Sequence, residues 1–126
     1  MANNIVTEGS VIQWTNGTGS TKASGAVVVI GSNGDALIGI AAVDIANGAT
    51  GSVIIDEAVA TVPKVSGAVI AQGEYVIWDA SAGAFDDNAA TPATGDVSDG
   101  AIAWESAGNG VTSIKVKLIG KPGVLA

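Results

Sequence analysis

The chain has 126 residues, long enough for one domain with a modest core and too short for two. Twelve Asp and Glu stand against five basic residues, all of them lysine, giving a formal charge of −7 with no arginine, histidine or cysteine. This excludes thiol catalysis, Ser-His-Asp triads, the usual zinc ligand sets and disulfides, and an acidic surface without arginine's planar fork disfavours nucleic acid.

Gly and Asn punctuate the chain at short intervals, and strand-like runs lie between them. Residues 10–15, SVIQWT, place Ile12 and Trp14 on one face and Val11 and Gln13 on the other. Residues 25–30, GAVVVI, form a β-branched run suited to a strand buried on both faces. Asn33-Gly34 tolerates the positive φ angles of a tight hairpin turn, which predicts that the chain folds back into residues 36–43. A second Asn-Gly, Asn47-Gly48, closes that segment. Residues 52–62 read as one long strand with Asp56-Glu57 in its middle, a position that points to a bulge or a sheet edge. Pro63 has no N–H to donate and ends the ladder.

Residues 72–88, QGEYVIWDASAGAFDDN, predict a hairpin in which Tyr75 and Ile77 share one face and Val76 and Trp78 the other. Residues 100–105, GAIAWE, form another strand. Residues 112–119 alternate, with Ile114, Val116 and Leu118 inward and Lys115 and Lys117 in water. No segment carries the length and 3.6-residue period of an amphipathic helix. The expected fold class is therefore all-β, a small barrel or sandwich of short antiparallel strands with little or no helix. No internal repeat is legible. The expected organisation is a flexible N-terminal arm over residues 1–9, a single domain over residues 10–120 with an exposed loop at 86–99, and a C-terminal tail at 121–126.

Three constellations invite a chemical reading. Gly17-Thr18-Gly19-Ser20-Thr21-Lys22 has the composition of a phosphate loop, but such a loop needs Gly-Lys-Ser/Thr opening a helix, and a strand follows here. Asp86, Asp87, Asn88, Asp96 and Asp99 lack the alternating spacing of a calcium loop and read as a solvated acidic loop. Glu74 and Asp79 are the best carboxylate pair for acid–base work. Five residues apart on a strand, they point to opposite faces about 16 Å apart, too far to share a glycosyl centre. The expectation is a protein with no catalytic residues, no metal ligands and no cofactor. Apolar runs are too short to span a bilayer and no signal-peptide layout opens the chain, so no membrane partner is expected.

Charged residues make up only 13% of the chain, about half the share of an ordinary soluble domain. A small chain this poor in charge is expected to cover part of its outside with a partner. Trp14, Trp78 and Trp104, in a chain that is only 4% aromatic, are the interface candidates. Asn3, Asn4, Ile5, Val6 and Thr7 are a second candidate contact, an apolar pair in a polar arm suited to adding a strand to another sheet's edge.

The ordered segments resemble the DUF2190 family of phage and prophage proteins, which includes capsid cement (decoration) proteins of tailed phages. The resemblance runs through residues 4–12 (NIVTEGSVI), 25–29 (GAVVV), 38–44 (IGIAAVD) and 59–64 (VATVPK). It continues through 73–79 (GEYVIWD), 101–105 (AIAWE) and 114–118 (IKVKL). Residues 86–99 form a longer loop than is usual there, and Trp104 stands where a smaller residue is usual. The resemblance implies a β-barrel-like homotrimer, made in the bacterial host cytoplasm. It would sit on the outer capsid surface at local three-fold positions and clamp neighbouring major capsid proteins. Two other classes fit the residues less well: a tail or adhesin module that binds glycans through exposed Trp, and a carboxylate-based carbohydrate-active enzyme.

Overall fold

Among the described residues ten short strands follow one another, in the order β1 (Val11–Thr15), β2 (Val27–Ile30), β3 (Asp35–Ala41), β4 (Thr50–Ile54), β5 (Asp56–Pro63), β6 (Tyr75–Asp79), β7 (Ala84–Asp86), β8 (Val97–Ala103), β9 (Ser113–Ile119) and β10 (Gly123–Leu125). The computed structural model describes Asn4 and residues 9–126. Among these there is no helix, and the antiparallel sheet curls strongly into a half-barrel, so the all-β reading holds. The arm expected over residues 1–9 lies outside the described residues apart from Asn4 and Gly9, both exposed in turns.

The hydrogen-bonded path runs β1-β4-β3-β10-β8-β6-β7, with β2 on the free side of β3 and β5 joined to β8 through β9. Residues 52–62, expected as one strand, are two. The chain leaves β4, passes Ile55 and enters β5 on a different partner, β9. The register slips between Asp56 and Val59, and Glu57 sits at φ 57° with its N–H donated to Asp56 Oδ1 at 2.8 Å. Glutamate rarely adopts that conformation, so the two acids do mark a bulge, and the bulge is where the chain changes sheets.

Residues 121–126, expected as a tail, instead close the structure. β10 pairs with β3 through Gly123↔Ala36 and Val124↔Asp35, and with β8 through Val124↔Ser98 and Leu125↔Val97. A methyl group at Gly123 would run into the Ser98 carbonyl oxygen, so only glycine lets the three backbones approach. The loop expected at 86–99 is shorter than its composition suggests, because Val97 already belongs to β8. Buried Asp96 anchors that end, accepting from Ala80 N at 3.0 Å and Ala93 N at 2.9 Å.

The structure also contains a repeat that the sequence conceals. The pairing Val27↔Ile40, Ile40↔Ile54 and Val11↔Ile54 recurs as Tyr75↔Ile102, Ile102↔Lys117 and Val59↔Lys117. The isolated bridge Lys22↔Ile45 recurs as Ile70↔Ala107. The bond from Gly25 N to Ala41 O recurs from Gly73 N to Ala103 O. Strands β1 to β4 thus form one unit, and β5, β6, β8 and β9 form a second unit of the same plan, with β7 and its flanking loops inserted between the counterparts of β2 and β3.

The two units stack front to back. Val27, Ile38 and Ile40 of the first belong to one core with Val76, Phe85, Ala101, Ala103, Ile114, Val116 and Leu118 of the second. The other face of the first unit closes on itself around Val28, Ile45 and Val53, with Ile12 and Trp14 packed against them, and Gly51 opposite Trp14 leaves room for Ile45. Burying each of these larger aliphatic side chains contributes about 2 kcal/mol.

One buried polar side chain pins the loops of each unit, and the two occupy equivalent positions after β1 and β5. Asn16, fully buried, donates through Nδ2 to Ser20 O and Ile45 O, both at 2.8 Å. Lys64, 3% exposed, donates through Nζ to Val65 O at 2.8 Å, Gly108 O at 3.0 Å, Val111 O at 3.1 Å and Ser66 O at 3.4 Å. Four carbonyl dipoles take the place of a counter-ion. Replacing Lys64 with Met keeps the aliphatic stem but removes all four charge-assisted bonds. The expected result is a loss of about 2 kcal/mol, read as a lower denaturation midpoint in urea at an unchanged slope. A midpoint equal to that of the unaltered chain would show that the carbonyls do not depend on Lys64.

Candidate interaction surface

Directly paired residues on an antiparallel sheet share a face. On the second unit Tyr75, Ile102, Lys117 and Val59 therefore form one row across β6, β8, β9 and β5, pointing away from the core. Tyr75 and Val59 are exposed, while Ile102 and Lys117 are half-buried against their neighbours. The next row holds Thr61 and Lys115, and beyond β8 Trp104 projects with half of its surface (51%) in water. Gln72 Nε2 donates to Trp104 O at 3.3 Å and fixes the edge of the patch. A shallow groove of about 400 Å3 runs between Gln72, Gly73, Ile102, Ala103, Trp104 and Lys117. Lys115 Nζ lies 3.8 Å from Glu105 Oε2, a solvated pair that holds the side chains loosely.

The three tryptophans named from the sequence divide. Trp14 is half-buried against the first unit's core. Trp78 packs against the main core and meets Phe85 edge-on, with ring centroids 5.1 Å apart at 63°. Trp104 stands in the open. The sequence correctly separated Tyr75 from Val76 and Trp78, but Ile77, expected beside Tyr75, is buried at a register shift between β6 and β8. Val59 was missed as a surface residue, although the alternation of Ala58, Ala60 and Val62 with Val59 and Thr61 was available to find it. Of the arm residues, Asn3, Ile5, Val6 and Thr7 lie outside the described residues, and Asn4 is exposed. A second hollow of about 500 Å3, lined by Gly9, Ser10, Asp56 and Glu57, opens where the described chain begins.

The carboxylates act as local caps. Asp79 Oδ1 accepts from Ala82 N at 3.0 Å and from the Ser81 hydroxyl at 2.8 Å, closing the turn between β6 and β7. Asp86 Oδ1 accepts from Asp87 N at 2.8 Å, and Asp87 Oδ1 from Ala89 N at 2.7 Å. Among the described residues no three acidic groups gather as a metal site would require. The glycine-rich run before Lys22 is a loop pinned by Asn16 and Thr18, and a strand follows it.

Comparison with known families gives this surface a context. A family model described as phage cement protein matches residues 6–118, and the chain belongs to that family. No curated protein matches the chain.

The Asp79 turn makes a pH-dependent contribution. Its hydrogen bonds, to Ala82 N first and to the Ser81 hydroxyl second, hold the carboxyl below its usual value of 3.8. A folded value below the unfolded one means stability that is complete above pH 3.8 and is lost as the pH falls through the folded value. Asp79→Ala is expected to be less stable than the unaltered chain at pH 7, with the gap closing below pH 3.8. Urea unfolding across pH measures this, and a gap that stays constant into acid would contradict it.

Proposed function

We propose that this member of the phage cement family acts as a homotrimer on the outer surface of the capsid, where it ties neighbouring major capsid proteins together. The single observation that carries the reading is the family match over residues 6–118. The family supports a cement role in the virion capsid and points to a structural part rather than a catalyst.

Two features of the chain support the finer reading. The first is surface. A chain only 13% charged carries Trp104, Tyr75 and Val59 exposed on one side, more apolar area than a solitary small domain needs. The second is charge. At −7 per chain, a trimer on the outside of a head stays soluble and keeps clear of the packaged genome. Cementing follows from multivalency. A trimer that engages three capsid subunits loses one contact at a time, and each lost contact re-forms as an intramolecular event. The arm residues Asn3, Asn4, Ile5, Val6 and Thr7 supply the capsid contact, their backbone adding a strand to a capsid sheet edge.

Deleting residues 2–7 tests the arm. Co-sedimentation with assembled heads is expected to show occupancy falling about tenfold or more. Light scattering should still report three copies of the 12.2 kDa chain. Undiminished occupancy would remove the arm from the account.

A further inference from the structure

The repeat assigns each residue of the second unit's outer row a counterpart in the first. Tyr75, Ile102, Lys117 and Val59 correspond to Val27, Ile40, Ile54 and Val11. In the first unit the centre of this face is covered, while Val11 on the edge strand is 41% exposed. Val27 is 7% exposed and Ile40 8%, and both sit in the core shared with Val76, Ala101 and Val116 of the second unit. In the second unit the same face is covered by nothing among the described residues, and Tyr75 is 37% exposed. Front-to-back stacking of like units thus stops after two, with one face unpartnered.

We infer that a second copy of this chain packs on that face, so that Trp104, Tyr75, Ile102 and Val59 form the contact between subunits. The inference rests on the homotrimer reading and names the surface that reading leaves open. Three observations favour a like copy as the occupant. Inside the chain, the equivalent face is covered by a unit of the same plan. The face also carries Lys115 and Lys117, two of only five lysines in a chain of net charge −7. A second copy, acidic over most of its exterior, supplies complementary charge. Finally, Trp104 and Ile102 line a groove whose polar members are Gln72 and Lys117, the composition of a subunit contact centre.

The contact is not a simple continuation of the internal stack. The second unit receives the first in a hollow floored by Ala60, Val62 and Ala107. The first unit's own hollow is filled, because Ile12, Trp14 and Ile45 stand at those positions. An incoming copy therefore meets the Trp104 face with a different patch. Such a contact is heterologous, and it is the kind that closes a three-fold ring.

The test uses the full chain and two variants, Trp104→Glu and Val59→Glu, each at an exposed position and checked for fold by circular dichroism and thermal unfolding. Size exclusion with light scattering over a dilution series is expected to show the unaltered chain as a trimer. Both variants should dissociate at concentrations about tenfold or more higher. Radical footprinting of the unaltered protein gives a readout without substitution, with Trp104 and Tyr75 protected in the assembled form and reactive after dilution. Folded variants that stay trimeric, with Trp104 reactive in the trimer, overturn the inference and leave the homotrimer standing. If those variants also stop sedimenting with heads, the face belongs to the capsid protein. An unaltered chain that is monomeric at every concentration overturns the homotrimer reading, and this inference with it.

Discussion

The contact between the first unit's inner face and the second unit's hollow is the constraint on which the molecule depends. Val27, Ile38 and Ile40 are large enough to need covering, and the alanines at 101 and 103 with Val76 and Val116 make a floor they can enter. A small chain without disulfides has few other ways to bury enough apolar surface. β10 then ties β3 to β8 along the seam between the units, and Gly123 lets the three strands come together. Because two identically built sheets stack in one direction, the arrangement has a sealed end and an open one. The open end carries Trp104.

Loops are held by side chains rather than by cross-links. Asn16 and Lys64 stand at the same place in the two units and do the same work with different chemistry, an amide in one and an ammonium in the other. Each joins carbonyls of its own loop to carbonyls of a second loop of its unit, adding a side-chain bond where most of the acceptors also take a backbone N–H. Asp79 and Asp96 serve the inserted β7 region in the same manner, through backbone N–H groups. The buried polar side chains Asn16, Lys64 and Asp96 are thus committed to the chain's own backbone. This fits a structural part whose value lies in shape and in contact surface.

Much of the fold was legible because strands announce themselves by period and by punctuation. The alternation of Ile114, Val116 and Leu118 with Lys115 and Lys117 gave β9 its inward and outward faces, and Asn33-Gly34 marked the β2–β3 turn. Three features were not legible, each for a physical reason. The apolar pattern runs unbroken through Ile54 and Ile55, so Asp56-Glu57 signalled a bulge within one strand and not the change of partner from β1 and β3 to β9. β10 is three residues long and follows a proline, and its pairing is decided by the gap between β3 and β8 rather than by its own sequence. The repeat is hidden because equivalent positions share mainly small residues, such as Gly25 with Gly73, Ala41 with Ala103 and Asn47-Gly48 with Asn109-Gly110. The insertion of β7 and its loops also breaks the spacing. The open face was half legible: Trp104 was a candidate from its residue type, but its partners Tyr75, Ile102 and Val59 become a surface only once the strands are paired.

The most direct measurement is a cryo-electron microscopy reconstruction of heads decorated with the full chain. The account requires density for three copies around a local three-fold axis on the outside of the shell, with the β5-β9-β8-β6 face of each copy turned toward its neighbour. Single copies standing apart on the shell, with that face open to solvent, would contradict it.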